Sequence, residues 1–222
     1  MAKRLVGVVV AIAVFGALIG LYISVWATQL PGAVTAPTSG SGSAKTANLT
    51  LETVASIGPQ YSPQHPNWVS YLVLSHGRWV HSTIFTLPAH SLVHVTLYQY
   101  DGDSGLRNPF LAQVEGTIGG VMTVDGKTVR AINPDDASHT FVVPQLGVFV
   151  PLVGVSSTAK NPCGYAPCGL SFDHHTITFS FRTAGKGRYR WQCFVPCAAG
   201  TLFDFGGPMQ TLGYMDGFLD VV

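Results

Sequence analysis

Apolar and polar positions alternate along most of this chain, in short runs. Leu92–Tyr100 sets Val93, Val95 and Leu97 against His94, Thr96 and Tyr98, the period of two that a half-buried strand requires. Leu49–Val54 alternates in the same way. Trp68–Leu74, Trp79–Leu87, Phe141–Val143, Phe149–Val153, Thr176–Arg182, Gly187–Gln192 and Phe218–Val222 are rich in β-branched and aromatic residues. Val121–Val124 and Val129–Ile132 flank Asp125-Gly126, a hairpin-turn signal. No convincing amphipathic helix interrupts the series. Many short strands with Gly/Pro turns predict an all-β domain, a sandwich or barrel.

One stretch departs from this by being apolar throughout. After Met1-Ala-Lys3-Arg4, Leu5 to Ala27 carries no charge. As a helix it would reach about 35 Å, long enough to span a bilayer. Residues 1–28 are therefore expected to be a single transmembrane anchor. A removed signal peptide is the alternative, with Val25-Trp26-Ala27 as its cleavage site. Lys3 and Arg4 stay on the cytoplasmic side by the positive-inside rule, so the rest of the chain lies outside the cell membrane. Tyr22 and Trp26 suit the outer interface. Residues 29–48, rich in Pro, Gly, Ser and Ala, read as a flexible linker. The domain then occupies 49–222, with polar, glycine-rich insertions near 101–120 and 156–173.

Composition narrows the function. The net charge of +1 gives no basis for nucleic-acid binding. No nucleophile elbow, phosphate loop or pair of carboxylates points to hydrolysis. The 4 cysteines of an exported domain are available for disulfides or metal. Cys163 and Cys168, beside Pro162 and Pro167 in the second insertion, are expected to form a disulfide. Cys193 and Cys197 follow a strand, in Tyr189-Arg-Trp-Gln-Cys193-Phe-Val-Pro-Cys197. By themselves they fit a disulfide as well as a soft-metal site. His139 lies where a turn meets a strand, and Met215 sits just before the last strand. A lone histidine is more often a packed or surface residue, and a lone methionine is usually core filler. Together, imidazole, thiolate and thioether select copper over hard cations. Met209, in Gly206-Gly-Pro-Met209, is a further thioether nearby. Asp135 and Asp136 read as turn residues that support His139. His90 and His94 are too far apart along a strand for one metal, and His174 and His175 point to opposite faces. His65, His76 and His81 lack partners at ligand spacing.

These residues resemble a known family. His139-Thr-Phe-Val-Val143-Pro144-Gln-Leu146-Gly147 and Gly187-Arg-Tyr189-Arg-Trp-Gln192-Cys193-Phe-Val-Pro-Cys197 are similar to the ligand motifs of the cupredoxins. The copper domain of haem-copper (cytochrome c) oxidase subunit II is the nearest resemblance. It implies a Greek-key β-sandwich, copper as cofactor and one-electron transfer. It also implies a membrane oxidase or other respiratory complex as partner, with a soluble electron donor. By match, the ligands are His139, Cys193, Cys197 and Met215, with the Val195 carbonyl. The family's second histidine position is occupied here by Thr201, and no histidine follows His175. Three outcomes remain open. The site is mononuclear, with Cys197 or Met209 completing it; or binuclear, with a replacement ligand; or metal-free, in a structural or assembly subunit. A copper carrier is a further alternative class.

Overall fold

The computed structural model describes residues 2–22, 31–42, 45–59, 61, 66–197 and 207–222. Two compact units are present, Met1–Leu30 and Pro31–Val222. In the first, α1 (Ala2–Tyr22) carries no charge after Lys3 and Arg4, and its Arg4–Leu21 stretch is long and apolar enough to cross a membrane. The remainder of the predicted span, including Trp26, lies outside the described residues.

The second unit is a β-sandwich. One sheet holds β1 (Val34–Thr35), β6 (Ile84–Leu87), β14 (Asp216–Val221), β13 (Gly187–Gln192), β10 (Ala137–Val143) and β11 (Val148–Val153), in that spatial order. The other runs β5 (Arg78–Val80), β4 (Ser70–Ser75), β3 (Thr46–Val54), β7 (Leu92–Gln99), β12 (His175–Arg182), β8 (Met122–Val124) and β9 (Lys127–Val129). A short β2 (Thr38–Ser39) pairs with β3. Alternation builds the core directly. Leu49 and Leu51 of β3, Val93, Val95 and Leu97 of β7, and Ile177, Phe179 and Phe181 of β12 all point between the sheets and are buried. Pro151, which has no amide to donate, is accommodated because β11 is an edge strand, partly covered by a bridge from Glu115 to Phe149.

Trp191 is the centre of this core. Its ring stacks on Phe85 and Phe141 at 5.6 and 5.1 Å and meets Tyr71 edge-on at 4.9 Å. Its indole N–H donates to the Thr83 carbonyl at 3.0 Å. The residue opposite Trp191 on β14 is Gly217. A Cβ there would lie 1.9 Å from the Thr83 oxygen and 2.7 Å from the indole nitrogen, so only glycine fits.

Two differences from the sequence reading concern position. The stretch 29–48 was expected to be a linker, yet Val34–Thr35 pairs with β6, Thr38–Ser39 pairs with β3, and Ala36 is buried. The continuous run Trp79–Leu87 divides into β5 and β6, which belong to opposite sheets. His81–Thr83 turns the corner, with the Ser82 hydroxyl bonding back to the Gly32 carbonyl. Asp125 and Gly126 do form the hairpin turn between β8 and β9, both with positive φ (50° and 79°), as a primed turn requires.

The 156–173 insertion lies over the outer face of β3 and is closed by a Cys163–Cys168 disulfide. Beneath it Glu52 is 0% exposed, with one carboxyl oxygen accepting the Cys168 amide at 3.3 Å and the other without a partner. Burial pushes this carboxyl from its usual 4.5 up to about 8. Between those values the folded chain keeps a proton that the unfolded chain has released. Stability therefore falls as pH rises across this window, by up to about 1.4 kcal/mol per pH unit from this group. Glu52→Gln keeps an acceptor for Cys168 and removes the titration. Urea unfolding midpoints of the variant should change less between pH 5 and 8 than those of the wild type; identical slopes would refute this account.

Candidate metal centre

Three elements converge at one end of the sandwich. β10 carries His139 on the same face as Phe141, two residues on, so the imidazole points inward at the strand's start. β13 delivers Cys193 immediately after Gln192, and the Cys193 amide donates to the Met215 carbonyl at 2.9 Å as β14 begins. A tight turn then returns the chain, with the Cys197 amide on the Val195 carbonyl at 2.7 Å. Among the described residues, His139, Cys193 and Cys197 form a buried set whose donor atoms all lie within 4.8 Å of one another. Neither sulfur is in a disulfide.

The geometry is directional. Nδ1 of His139 lies 2.8 Å from Cys197 Sγ and 3.9 Å from Cys193 Sγ, and the two sulfurs are 3.0 Å apart. The Val195 carbonyl oxygen faces both, at 3.1 Å from Cys197 and 3.6 Å from Cys193. Thr140 donates its amide to Cys193 Sγ at 3.4 Å, while its hydroxyl accepts the Phe194 amide at 2.7 Å. Met215 is fully buried in the same core. Met209 packs partly buried against it, and its carbonyl accepts Gln192 Nε2 at 2.6 Å.

Charge is arranged to favour one thiolate. Burial opposes ionisation of Cys193, but hydrogen bonds from Cys197 and His139 outweigh it and hold this thiol well below its usual value. Cys197 is pushed well above, first by burial and then by the adjacent Cys193 thiolate. Burial also works against a charged His139, yet the bonds to Asp101 and Cys193 raise it to about 9. Asp101 is lowered: burial resists its charge, and the His139 contact prevails. Without metal, these surroundings favour negative charge on Cys193 and Asp101 and a proton on His139.

Asp101 is the residue that sequence reasoning missed. It bonds His139 Nε2 at 2.8 Å, the supporting role assigned from sequence to Asp135 and Asp136. Those two lie in the 3-10 turn before β10, where Asp136 accepts from Asn133 and Asp135 lies 4.0 Å from Arg107. The usable signal was position: Asp101 directly follows the clearest alternating strand and opens the first insertion. Thr140 was also missed, though it adjoins His139.

The other histidines stand elsewhere. His174 donates its Nδ1–H to the Phe172 carbonyl and packs against Tyr98 and Tyr100, His175 pairs with Asp125 at 2.7 Å, and His94 bonds Ser180. His81 meets Ser70 and the Tyr214 ring. Thr201 and His65 lie outside the described residues.

Two cavities flank the centre. On the Cys193 side, one of about 380 Å³ is lined by Leu106, Phe110, Leu111, Phe194, Pro196 and Met209. On the Cys197 side, one of about 280 Å³ is lined by Asp101, Asp103, Ser104, Ser138 and His139. Residues 101–111, the first half of the expected 101–120 insertion, line both cavities.

No protein-family model matches this chain, and no curated protein matches it. Among solved structures, the copper protein rusticyanin is 15% identical, with 84% of this chain and 88% of that chain covered and a TM-score of 0.33. Rusticyanin from Thiobacillus ferrooxidans gives 15%, 84%, 87% and 0.30 for the same measures. A copper-containing nitrite reductase from Thermus scotoductus SA-01 is 10% identical, with 82% of this chain but only 31% of the reductase covered, at a TM-score of 0.32.

Proposed function

We propose that this chain is a membrane-anchored copper protein of the cupredoxin type that carries single electrons. The observation that supports it best is the convergence of two unbonded sulfurs and an imidazole nitrogen in a buried pocket. Two soft thiolates and one imidazole suit copper and disfavour Mg²⁺ or Ca²⁺. His139, Cys193 and Cys197 would hold the ion, with Met215 as the thioether and Met209 as the less favoured one. Bound copper would supply the Cu(I)/Cu(II) couple. The chain's own part is to fix the donors on β10, β13 and the start of β14, so that little has to move when charge changes. Thr140 and the Val195 carbonyl keep the sulfurs in place, and Trp191 and its aromatic neighbours keep that side dry.

In this reading α1 holds the domain at the outer face of the cell membrane. The electron partners are a membrane oxidase or other respiratory complex, which the chain would serve as a subunit II-like component, and a soluble donor. The rival reading is a metal-free structural or assembly subunit. It is favoured by one feature, the 3.0 Å approach of the two sulfurs, from which a disulfide is a short step. A copper carrier fits less well, because the donors are buried and strand-held.

The full chain, purified in detergent under reducing conditions and loaded with copper, should give an intense thiolate-to-copper absorption band. Hyperfine lines from one copper in the paramagnetic resonance spectrum indicate a mononuclear site, and splitting shared over two coppers a binuclear one. No retained copper, with Cys193 and Cys197 unreactive to thiol reagents in protein purified without reductant, would sink the electron-transfer reading.

A further inference from the structure

The imidazole of His139 has two nitrogens and one productive orientation. Nδ1 must face the sulfurs, which requires something to hold Nε2. Asp101 Oδ2 does so at 2.8 Å, and both side chains are largely shielded from water. Asp101 is itself fixed. Its other oxygen accepts the Gly102 amide at 2.8 Å, and its carbonyl accepts the Val155 amide at 2.9 Å where the chain leaves β11. The two backbones touch there. A Cβ on Gly154 would lie 2.3 Å from the Asp103 nitrogen and 2.6 Å from the Gly102 carbonyl carbon, so glycine is required for this approach. Ser104 and Gly105 then donate their amides to Ala137 and Asp135, which tie the same segment to the base of β10. A whole stretch of backbone is thus locked in place around one carboxylate.

We infer that Asp101 is the positioning residue of the metal centre: it holds His139 by Nε2–H and thereby aims Nδ1 at the Cys193 and Cys197 sulfurs, which with it would hold the ion. The inference rests on the copper reading for its consequences, though the contact exists without metal. A carboxylate on the far nitrogen fixes the tautomer and makes the imidazole a stronger donor. Stronger donation favours the more highly charged oxidised ion, so Asp101 lowers the reduction potential. Removing such a partner typically costs about 10- to 100-fold in metal affinity.

The test uses the full chain in detergent, with ¹⁵N-labelled histidine, as wild type, Asp101→Asn and Asp101→Ala. In the metal-free wild type the His139 Nε2–H should appear as a slowly exchanging resonance. It should persist, shifted, in Asp101→Asn, whose amide oxygen still accepts, and vanish in Asp101→Ala. After loading, the potential should rise in both variants, and Asp101→Ala should lose about 10- to 100-fold in copper affinity. The inference is overturned if Asp101→Ala keeps the protected Nε2–H resonance. It is also overturned if the potential of both variants equals that of the wild type. Should the wild type take up no copper, the copper reading falls, and the Nε2–H comparison alone still decides whether Asp101 orients His139.

Discussion

Cys193→Ser should leave a folded, colourless protein. Cys193 Sγ is the atom on which the centre's contacts meet: the Thr140 amide, His139 Nδ1, Cys197 Sγ and the Val195 carbonyl all lie within 3.9 Å of it. It is also the sulfur whose ionisation the surroundings favour. A serine hydroxyl is a harder donor and does not ionise near neutrality, so the soft anionic ligand disappears while the volume is nearly kept. The Thr140 amide still finds an oxygen, which limits the stability cost to about 1–2 kcal/mol. Copper affinity should fall by more than the roughly 100-fold ceiling for a lost supporting contact. Absorption spectroscopy and metal analysis after loading decide it. A variant that keeps both the thiolate band and its copper shows that Cys193 is not the principal ligand.

Gly217→Ala should damage the fold severely with a single methyl group. The added carbon would overlap the Thr83 carbonyl and the Trp191 indole together. Neither neighbour can yield cheaply. The Thr83 oxygen accepts both the Trp191 N–H and the Phe218 amide, and Trp191 is clamped between Phe85 and Phe141. Relief requires β14 to separate from β6 or the indole to leave its stack. A cost of about 3 kcal/mol or more is expected, at the upper end for overpacking. Because β14 starts beside Met215, which accepts the Cys193 amide, metal retention should weaken as well. Urea unfolding followed by tryptophan emission measures the first effect. A midpoint within error of the wild type would contradict the close packing described here.

The sandwich was readable because period-two alternation is a local property. β3, β7 and β12 carry it plainly, and Asp125-Gly126 marks its own turn. What was not readable is non-local. Nothing in Trp79–Leu87 shows that its two halves join opposite sheets, since β-branched and aromatic residues suit either. Val34-Thr35 and Thr38-Ser39 look like linker because their strand character comes from partners far along the chain, not from their own composition. The centre divides in the same way. Cys193 and Cys197 advertise themselves by being four apart, but His139 lies 54 residues from Cys193, and only a motif resemblance links them in sequence. Asp101 has no motif at all. Its role follows from where β7 ends relative to β10, which only the packed sandwich reveals.

β6 lies between the first strand of the domain, β1, and the last, β14, and is parallel to both. That single placement governs the order in which the molecule can be made. Parallel pairing across such sequence distances closes large loops before any contact rewards it, so folding is expected to be slow and late. During synthesis, a chain that has already produced His139, Cys193 and Cys197 still lacks the strand that ends the domain and the Met215 carbonyl that secures Cys193. The nascent protein therefore exposes its thiols before it can bury them. The interval between synthesis of these residues and docking of β14 is when this domain is most open to the wrong oxidation or the wrong metal.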